Sequence, residues 1–166
     1  KYKNLLTIII PRHVHRVNKI FKEINDLKLN VVLHSSNPKK LKNVDIYLVD
    51  TYGETKKFYD CSDVVFMGKS LVGKGGQNPL EPARHGAAVL HGPNINNFLD
   101  IYTLLDKLKI TYKVNGATSL TNLVNKLIIK PNNKKHYLKI EKIGKKILNK
   151  TKDEINSLLN NEIKKT

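Results

Sequence analysis

The sequence predicts an α/β protein with a doubly wound parallel sheet of about six strands and a helical C-terminal tail. Short apolar runs alternate with amphipathic stretches six times along the chain. The first run, residues 5–10, is rich in β-branched residues and stops at Pro11, which is typical of a buried parallel strand. With 166 residues and 40% hydrophobic content, the chain is long enough for one domain with a sizeable core.

Each strand is predicted from an apolar run and each helix from one apolar face. The predicted strands are residues 5–10 (LLTIII), 30–35 (NVVLHS), 45–50 (DIYLVD), 63–68 (DVVFMG), 87–92 (AAVLHG) and 110–114 (ITYKV). The helix over residues 14–29 has apolar residues at helical spacing and Lys and Glu on its other side. The further predicted helices are residues 53–59, 79–86, 98–108, 120–129, 134–148 and 153–163.

The domain organisation follows from the clearest break in the pattern, Pro131-Asn132-Asn133. We predict a domain over residues 1–130 and a helical tail over residues 131–166. No apolar run is long enough to span a bilayer, and the first residues lead us to expect no signal peptide. Since the sequence does not begin with Met, we expect a fragment of a longer protein. The single cysteine, Cys61, excludes an internal disulfide and is expected to be a small core residue.

The formal net charge of +16 leaves two interpretations open. One is an anionic partner, such as a phosphorylated ligand, an acidic membrane surface or nucleic acid. The other is a compositional bias towards Lys, Asn and Ile, with many lysines simply solvated. Nucleic acid is disfavoured because Trp is absent and aromatic residues are not interleaved with the basic ones.

Polar clusters follow four of the predicted strands. They are residues 11–13 (PRH), 50–54 (DTYGE), 68–76 (GKSLVGKGG) and 91–94 (HGPN). Ligands of a doubly wound sheet bind outside the carboxyl ends of its strands. We therefore expect these clusters to form a binding site.

The glycine-rich segment before the helix at residue 79 predicts an anion site. Gly75 and Gly76 allow positive φ and close approach of a ligand to the backbone. Asn78 is suited to cap the helix, with Pro79 at its first position. Glu81 either completes a capping box or accepts hydrogen bonds from sugar hydroxyls. The free N–H groups at such a helix start favour a phosphate.

Other side chains near this edge extend the candidate site. Arg12 could bind the same phosphate through its planar guanidinium, although a surface role is also open. His13 could donate to an anion or simply start a helix. The remaining histidines lack the spacing of metal ligands, so we predict no metal site. The glycine pattern matches neither the dinucleotide-binding nor the P-loop motif.

These segments resemble the 3-deoxy-D-manno-octulosonic acid (Kdo) transferases of lipopolysaccharide synthesis. The resemblance covers residues 5–108 and rests on IIPRH (9–13), DTYGE (50–54), DVVFMGKSLVGKGGQNPLEPA (63–83) and HGPNINNF (91–98). It implies the C-terminal, Rossmann-like half of a GT-B glycosyltransferase. Such an enzyme transfers Kdo from CMP-Kdo to a lipid A precursor at the cytoplasmic face of the Gram-negative inner membrane.

The resemblance also implies roles for residues. Arg12 would contact the donor phosphate, Gly75, Gly76 and Asn78 would line its site, and Glu81 would hold the ribose. The loop from Thr51 through Gly53 to Glu54 would lie near the cytosine. The full set of donor-binding candidates is Arg12, His13, Thr51, Gly53, Glu54, Ser70, Gly75, Gly76, Gln77, Asn78 and Glu81.

The family's general base lies in the other half, so we expect no catalytic residue, no cofactor and no turnover from this chain alone. The chain departs from the family at Gln77, where His is frequent, because glutamine can donate a hydrogen bond but cannot shuttle protons. Expected partners are CMP-Kdo, the lipid A precursor and an anionic inner-membrane surface, reached peripherally or through an N-terminal anchor. A UDP-sugar enzyme of the same fold and, less favoured, a basic nucleic-acid-binding module remain alternatives.

Overall fold

The computed structural model describes residues 5–73, 75–129 and 136–163, in which six parallel strands alternate with helices. The strands are β1 (Thr7–Ile9), β2 (Val31–Leu33), β3 (Ile46–Leu48), β4 (Val64–Phe66), β5 (Ala88–His91) and β6 (Thr111–Lys113). The helices are α1 (Val17–Asp26), α2 (Thr55–Asp60), α3 (Leu80–Arg84), α4 (Leu99–Lys107), α5 (Ala117–Ile129) and α6 (His136–Ile163). Short 3₁₀ helices are formed by Val14–Arg16, His34–Ser36 and Asn96–Phe98.

The predicted α/β class is confirmed, and each strand lies inside the apolar run that predicted it. The strands pair as two three-stranded parallel sheets, ordered β1-β3-β2 and β4-β5-β6, rather than as the one sheet of about six strands that the sequence predicted. The chain divides into two compact units, Lys1–Phe58 and Tyr59–Thr166, and each sheet belongs to one of them. The sequence-based domain boundary at residue 130 stays a prediction.

In the first unit, β3 is the central strand. Tyr47 is paired with Ile8 of β1 on one side and with Val32 of β2 on the other. Helix α1 covers the sheet through Val17 and Ile24, which are buried against β3. The apolar face predicted from the helical spacing is therefore the face that packs.

In the second unit, β5 is central and wholly buried. Its side chains alternate between two cores. Val89 packs with residues of α3, α4 and α6, whereas Ala88 and Leu90 pack with Leu127 of α5. Helices therefore cover both faces of this sheet, as a doubly wound arrangement requires.

Helix α6 differs from the prediction, because the two helices expected at its place are one helix of 28 residues. The residues between them, 149–152, include neither Gly nor Pro, so nothing interrupts the backbone. Ile140 is buried with Ala83 of α3. Further along, the apolar side chains are exposed, namely Ile147, Leu148, Ile155, Leu158 and Leu159. The predicted break at residues 131–133 lies outside the described residues.

Cys61 is exposed, so the prediction of a core position is wrong. It lies in the turn between α2 and β4 rather than on the buried side of either element. Within the described ranges, no helix has the length and apolar character needed to cross a bilayer.

Candidate functional site

In the first unit, a hydrogen-bond network joins the ends of β2 and β3. His34 directly follows β2, and its Nε2 lies 2.6 Å from Oε2 of Glu54. Its Nδ1 lies 2.7 Å from the Tyr47 hydroxyl. Glu54 also accepts hydrogen bonds from the Thr51 hydroxyl (2.8 Å) and from Lys57 Nζ (2.7 Å). The two predicted site residues Thr51 and Glu54 are thus bound to each other within one loop.

Glu54 is the anionic centre of this network. Hydrogen bonds from Lys57, Thr51 and His34 lower the pKa of Glu54 to about 2, so the carboxylate is ionised at neutral pH. An ionised carboxylate only accepts, so Nε2 of His34 donates to it. Burial and the negative charges of Glu54 and Asp50 raise the pKa of Tyr47, which keeps its hydroxyl protonated. With Nε2 donating to Glu54, the Tyr47 hydroxyl is placed to donate to Nδ1 of His34.

Replacing Glu54 by glutamine should destabilise the protein at neutral pH, and the difference should shrink as the pH falls. The pKa of Glu54 is lowered in the folded state from 4.5 to about 2. Its stabilising effect is thus complete above the ordinary pKa and is lost as the pH falls through that interval. Urea unfolding of both proteins at pH 7, 4 and 2.5 measures this difference.

Glu23→Gln is the matched control, since Glu23 is exposed and its carboxylate lies 3.9 Å from Lys19 Nζ. We expect this control to change the free energy of unfolding little at any pH. An equal loss from Glu54→Gln at pH 7 and pH 2.5 would assign the effect to packing and contradict the electrostatic interpretation.

A second carboxylate at the end of β3 is held in the same way. Asp50 accepts hydrogen bonds from the backbone N–H of Ser35 (2.8 Å) and from the Ser35 hydroxyl. Burial raises the pKa of Asp50, but the hydrogen bonds from Ser35, a backbone hydrogen bond within Asp50 and the electrostatic effect of His34 together outweigh it, and the net shift is downward. The β2 and β3 ends are therefore joined by two separate carboxylates.

Arg12 and His13 lie just after β1, and both side chains are exposed. The ring of His13 stacks on His15 with a centroid distance of 5.4 Å. The backbone N–H of Val14 donates to the Tyr52 hydroxyl at 3.4 Å, which ties this segment to the 51–54 loop. Gly53 has a positive φ of 85° and lies at the exposed tip of that loop.

In the second unit, Gly75 and Gly76 have positive φ values of 94° and 64°, as predicted. Both glycines are buried, and the chain itself makes the close approach that the sequence assigned to a ligand. A Cβ on Gly76 would lie 2.7 Å from the carbonyl oxygen of Asn94, and one on Gly75 would lie 2.7 Å from Cγ of Asn97. The two glycines are needed because residues 94–97 pack directly on them.

The glycine loop, residues 70–78, is held through its carbonyl groups. Asn94 donates from its backbone N–H to the Ser70 carbonyl (2.9 Å) and from Nδ2 to the Leu71 carbonyl (3.2 Å). The Asn97 N–H donates to the Gly75 carbonyl at 3.3 Å. The Tyr102 hydroxyl donates to the Gln77 carbonyl at 3.1 Å. Four loop carbonyls thus bind one stretch of chain, residues 94–102.

The N–H groups of the loop are in a different position. Among the hydrogen bonds of the described residues, none uses the backbone N–H of Gly75, Gly76 or Gln77. Backbone N–H groups in a buried segment are usually paired, so unpaired ones indicate a place for an acceptor from outside. An anion is the acceptor that successive N–H groups of a turn suit best.

Ser70 is fully buried and connects the loop to the end of β5. Its hydroxyl donates to the Met67 carbonyl (2.5 Å) and accepts from the Gly92 N–H (2.8 Å). Ser70 therefore has both its hydrogen-bonding functions used inside the protein. The structure gives this predicted site residue a role in holding the loop.

The start of α3 agrees with the capping prediction. Oδ1 of Asn78 accepts from the backbone N–H of Leu80 at 3.0 Å. Pro79 precedes the helix with helical dihedral angles. Glu81 lies in the first turn with an exposed side chain, and its negative charge adds to burial in raising the pKa of Tyr59. No hydrogen bond of the described residues joins Glu81 to Asn78, so the capping-box alternative gains no support.

His91 and Tyr102 form a buried pair beside the loop, with ring centroids 4.4 Å apart. Burial lowers the pKa of His91 against the opposing effect of its hydrogen bond to Gly92, so the ring is neutral at pH 7. Its Nδ1 donates to the Gly92 carbonyl at 2.7 Å. Burial raises the pKa of Tyr102 to about 12, which keeps the hydroxyl a donor.

Sequence reasoning missed His34 and Tyr102 as residues that order the candidate site, and it placed Asn94 in a polar cluster without giving it a role of its own. His34 follows β2, so the rule that selected the polar clusters could have identified it. Tyr102 gave no such signal, because its spacing in α4 predicted only a core position. Over the ranges 5–73, 75–129 and 136–163, no three His, Cys, Asp or Glu residues are grouped so that they could hold a metal ion.

Comparison with known proteins gives sequence relatives that cover three quarters or more of the chain. A 3-deoxy-D-manno-octulosonic acid transferase of Haemophilus influenzae is 32% identical over 160 residues, which are 96% of this chain and 37% of the relative. The transferase of Rickettsia felis is 34% identical over 128 residues, covering 76% of this chain and 27% of the relative. The chain is a homologue of the Kdo transferases. No family model matches the sequence.

A solved structure extends this similarity to the fold. The crystal structure of the C-terminal CMP-Kdo binding domain of WaaA from Acinetobacter baumannii matches with a TM-score of 0.76 and 26% identity. The match covers 83% of this chain and 74% of that domain.

A bifunctional glycosyltransferase/methyltransferase of Fusobacterium nucleatum is a further sequence relative. It is 33% identical over 126 residues, which are 75% of this chain and 20% of the relative. The chain spans little more than a third of the length of the Haemophilus influenzae relative.

Proposed function

We propose that this chain is the CMP-Kdo-binding domain of a Kdo transferase, a glycosyltransferase of lipopolysaccharide synthesis. The observation that carries the proposal is the match in fold and sequence to the C-terminal CMP-Kdo binding domain from Acinetobacter baumannii. The glycine loop supports it independently, because its carbonyls are bound by the protein while three successive N–H groups are left for an anion. The single phosphate of CMP-Kdo is an anion of suitable size.

The donor is proposed to bind through two groups of residues. In the second unit, the N–H groups of Gly75, Gly76 and Gln77 bind the phosphate beside the Asn78 cap, and Glu81 accepts hydrogen bonds from the ribose. The Ser70 hydroxyl joins this loop to the end of β5 by accepting a hydrogen bond from the Gly92 N–H. The exposed side chain of Glu81 leaves its carboxylate open to hydroxyl donors.

In the first unit, Arg12 binds the phosphate through its guanidinium, and exposed His13 adds a donor. The 51–54 loop lies near the cytosine. Glu54 and Thr51 act mainly on the loop itself, because both oxygens of the Glu54 carboxylate already accept hydrogen bonds from the chain. Gly53 sets the turn at the tip of that loop.

The transfer step itself is proposed to need more than this chain. The relatives are about three times longer, and the resemblance assigns the acceptor site and the general base to the other half. We propose that the complete enzyme acts on a lipid A precursor at the cytoplasmic face of the inner membrane. Lysine-rich faces of a chain with net charge +16 would be attracted to anionic lipid by about 1 kcal/mol per residue near the surface.

An NMR titration of the ¹⁵N-labelled protein with CMP tests the proposal, with UMP as the control. We expect CMP to shift the amides of Gly75, Gly76, Gln77 and Arg12 with a Kd of about 1 mM or tighter. UMP should bind about tenfold more weakly, because its base edge cannot make the same hydrogen bonds. Stronger binding of UMP would favour a UDP-sugar enzyme. Salt-sensitive binding of RNA without any response to CMP would favour a nucleic-acid-binding module.

A further inference from the structure

In the glycine loop, four backbone carbonyls are hydrogen-bonded within the protein, whereas the N–H groups of residues 75–77 are not. The carbonyls of Ser70, Leu71, Gly75 and Gln77 all accept hydrogen bonds from residues 94–102. No N–H of residues 75–77 is used in the hydrogen bonds of the described chain. A trans peptide unit holds the carbonyl of one residue and the N–H of the next residue on opposite sides. The bound Gly75 carbonyl therefore fixes the direction of the Gly76 N–H, and the bound Gln77 carbonyl fixes that of the Asn78 N–H. Residues 94–102 thus orient the Gly75–Gly76 and Gln77–Asn78 peptide units.

Two of the hydrogen bonds to the loop carbonyls come from side chains, so a single substitution can remove each one. Nδ2 of Asn94 binds the Leu71 carbonyl near the start of the loop. The hydroxyl of Tyr102 binds the Gln77 carbonyl at its end, next to the Asn78 cap. Tyr102 is 2% exposed and packs against His91, so its hydroxyl has a fixed position.

We propose that Tyr102 and Asn94 are positioning residues for anion binding: their bonds to the Gln77 and Leu71 carbonyls anchor the two ends of the glycine loop, so that the N–H groups of residues 75–77, which lie between these ends, face the donor phosphate. The inference rests on the proposed function, since it names the residues that order the same site. Neither side chain touches the donor. Each acts through a backbone carbonyl, which preorganises the N–H groups before the anion arrives.

Tyr102→Phe tests the inference because it removes the hydroxyl and keeps the ring against His91. We expect the Kd for CMP to rise about three- to tenfold, as the loss of one neutral hydrogen bond predicts. Without ligand, amide hydrogen exchange of residues 75–77 should become faster, while exchange in β5 and β6 should not change. In Asn94→Ala, the rise in Kd and the faster exchange should both be smaller than in Tyr102→Phe. The substitution removes the bond to the Leu71 carbonyl, but the backbone N–H of residue 94 still donates to the Ser70 carbonyl.

Tyr112→Phe is the matched control. Its hydroxyl also donates to a backbone carbonyl, that of Lys109 at 3.2 Å, away from the glycine loop. The control should leave both the CMP affinity and the exchange of residues 75–77 unchanged. An unchanged CMP affinity in Tyr102→Phe, or faster exchange throughout the unit, would overturn the positioning role while the proposed function stands. If the wild-type protein fails to bind CMP, the proposed function fails, and the exchange data alone decide whether Tyr102 orders the loop.

Discussion

Replacing Gly92 by alanine should destabilise the protein by about 2–3 kcal/mol, the upper range for overpacking in a buried site. A Cβ at Gly92 would lie 2.5 Å from the carbonyl carbon of Ser70 and 2.6 Å from the backbone nitrogen of Leu71. Both are backbone atoms, and Ser70 is fully buried, so no side chain can move aside to make room. The shift would also strain the hydrogen bond from the Gly92 N–H to the Ser70 hydroxyl.

Thermal unfolding measures this effect, with a drop in Tm of about 4–12 °C expected for a chain of this length. Gly116→Ala is the control, because its Cβ would meet no atom within 4 Å. The control should leave the Tm nearly unchanged. An equal Tm for Gly92→Ala and the wild type would show that residues 92–97 can move away from the glycine loop, and the packing described for that loop would be wrong.

Replacing Arg12 by alanine should weaken CMP binding about 10- to 100-fold. A hydrogen bond between a guanidinium and a phosphate contributes about 1.5–3 kcal/mol, and each 1.4 kcal/mol corresponds to a factor of ten in Kd. Arg12 is exposed, so its removal should change the free energy of unfolding little. Isothermal titration calorimetry with CMP, together with urea unfolding, separates the two effects.

Arg16→Ala is the control for general positive charge, because Arg16 is also exposed and lies only four residues further along the chain. We expect this control to weaken CMP binding by less than about threefold at physiological ionic strength, where exposed charges are screened. Equal losses from the two substitutions would mean that Arg12 contributes only to the net field of the protein. The proposed phosphate contact would then be rejected.

The sequence predicted the elements well because local chemistry determines them. The apolar run at residues 87–92 and the asparagine before Pro79 each carry their own signal, for a buried strand and for a helix cap. The order of the strands has no such signal. That β3 lies between β1 and β2 depends on pairing across some 15–40 residues, which no short pattern records.

The strand ends at which the polar clusters lie were predictable, but the contacts within the clusters were less so. The four polar clusters were found from the rule for strand ends, and positive φ was correctly expected for Gly75 and Gly76. Asn94 and Asn97 pack directly on these glycines, a contact that the sequence analysis did not predict, whereas the approach of a ligand to them stays a prediction. Contacts between segments twenty residues apart arise from tertiary packing, and the sequence does not display them.

Helix α6 is a secondary-structure element that the sequence predicted incorrectly, as two helices instead of one. The sequence-based prediction left a gap over residues 149–152, yet the charged residues there are compatible with a helix and form ion pairs along it, such as Lys150 with Glu154 at 3.6 Å. Cys61 shows the converse case, where an apolar residue type was expected in the core but a turn exposes it. Burial depends on the position within an element more than on the residue type alone.

The two strand orders have different consequences during synthesis on the ribosome. In the second unit the order β4-β5-β6 follows the chain, so each strand can pair with its predecessor as soon as it emerges. In the first unit the central strand β3 comes last, so β1 and β2 have no partner until about residue 48 has left the exit tunnel. Since long-range pairing carries an entropy cost before any contact offsets it, the first sheet forms in one late step and the second grows strand by strand.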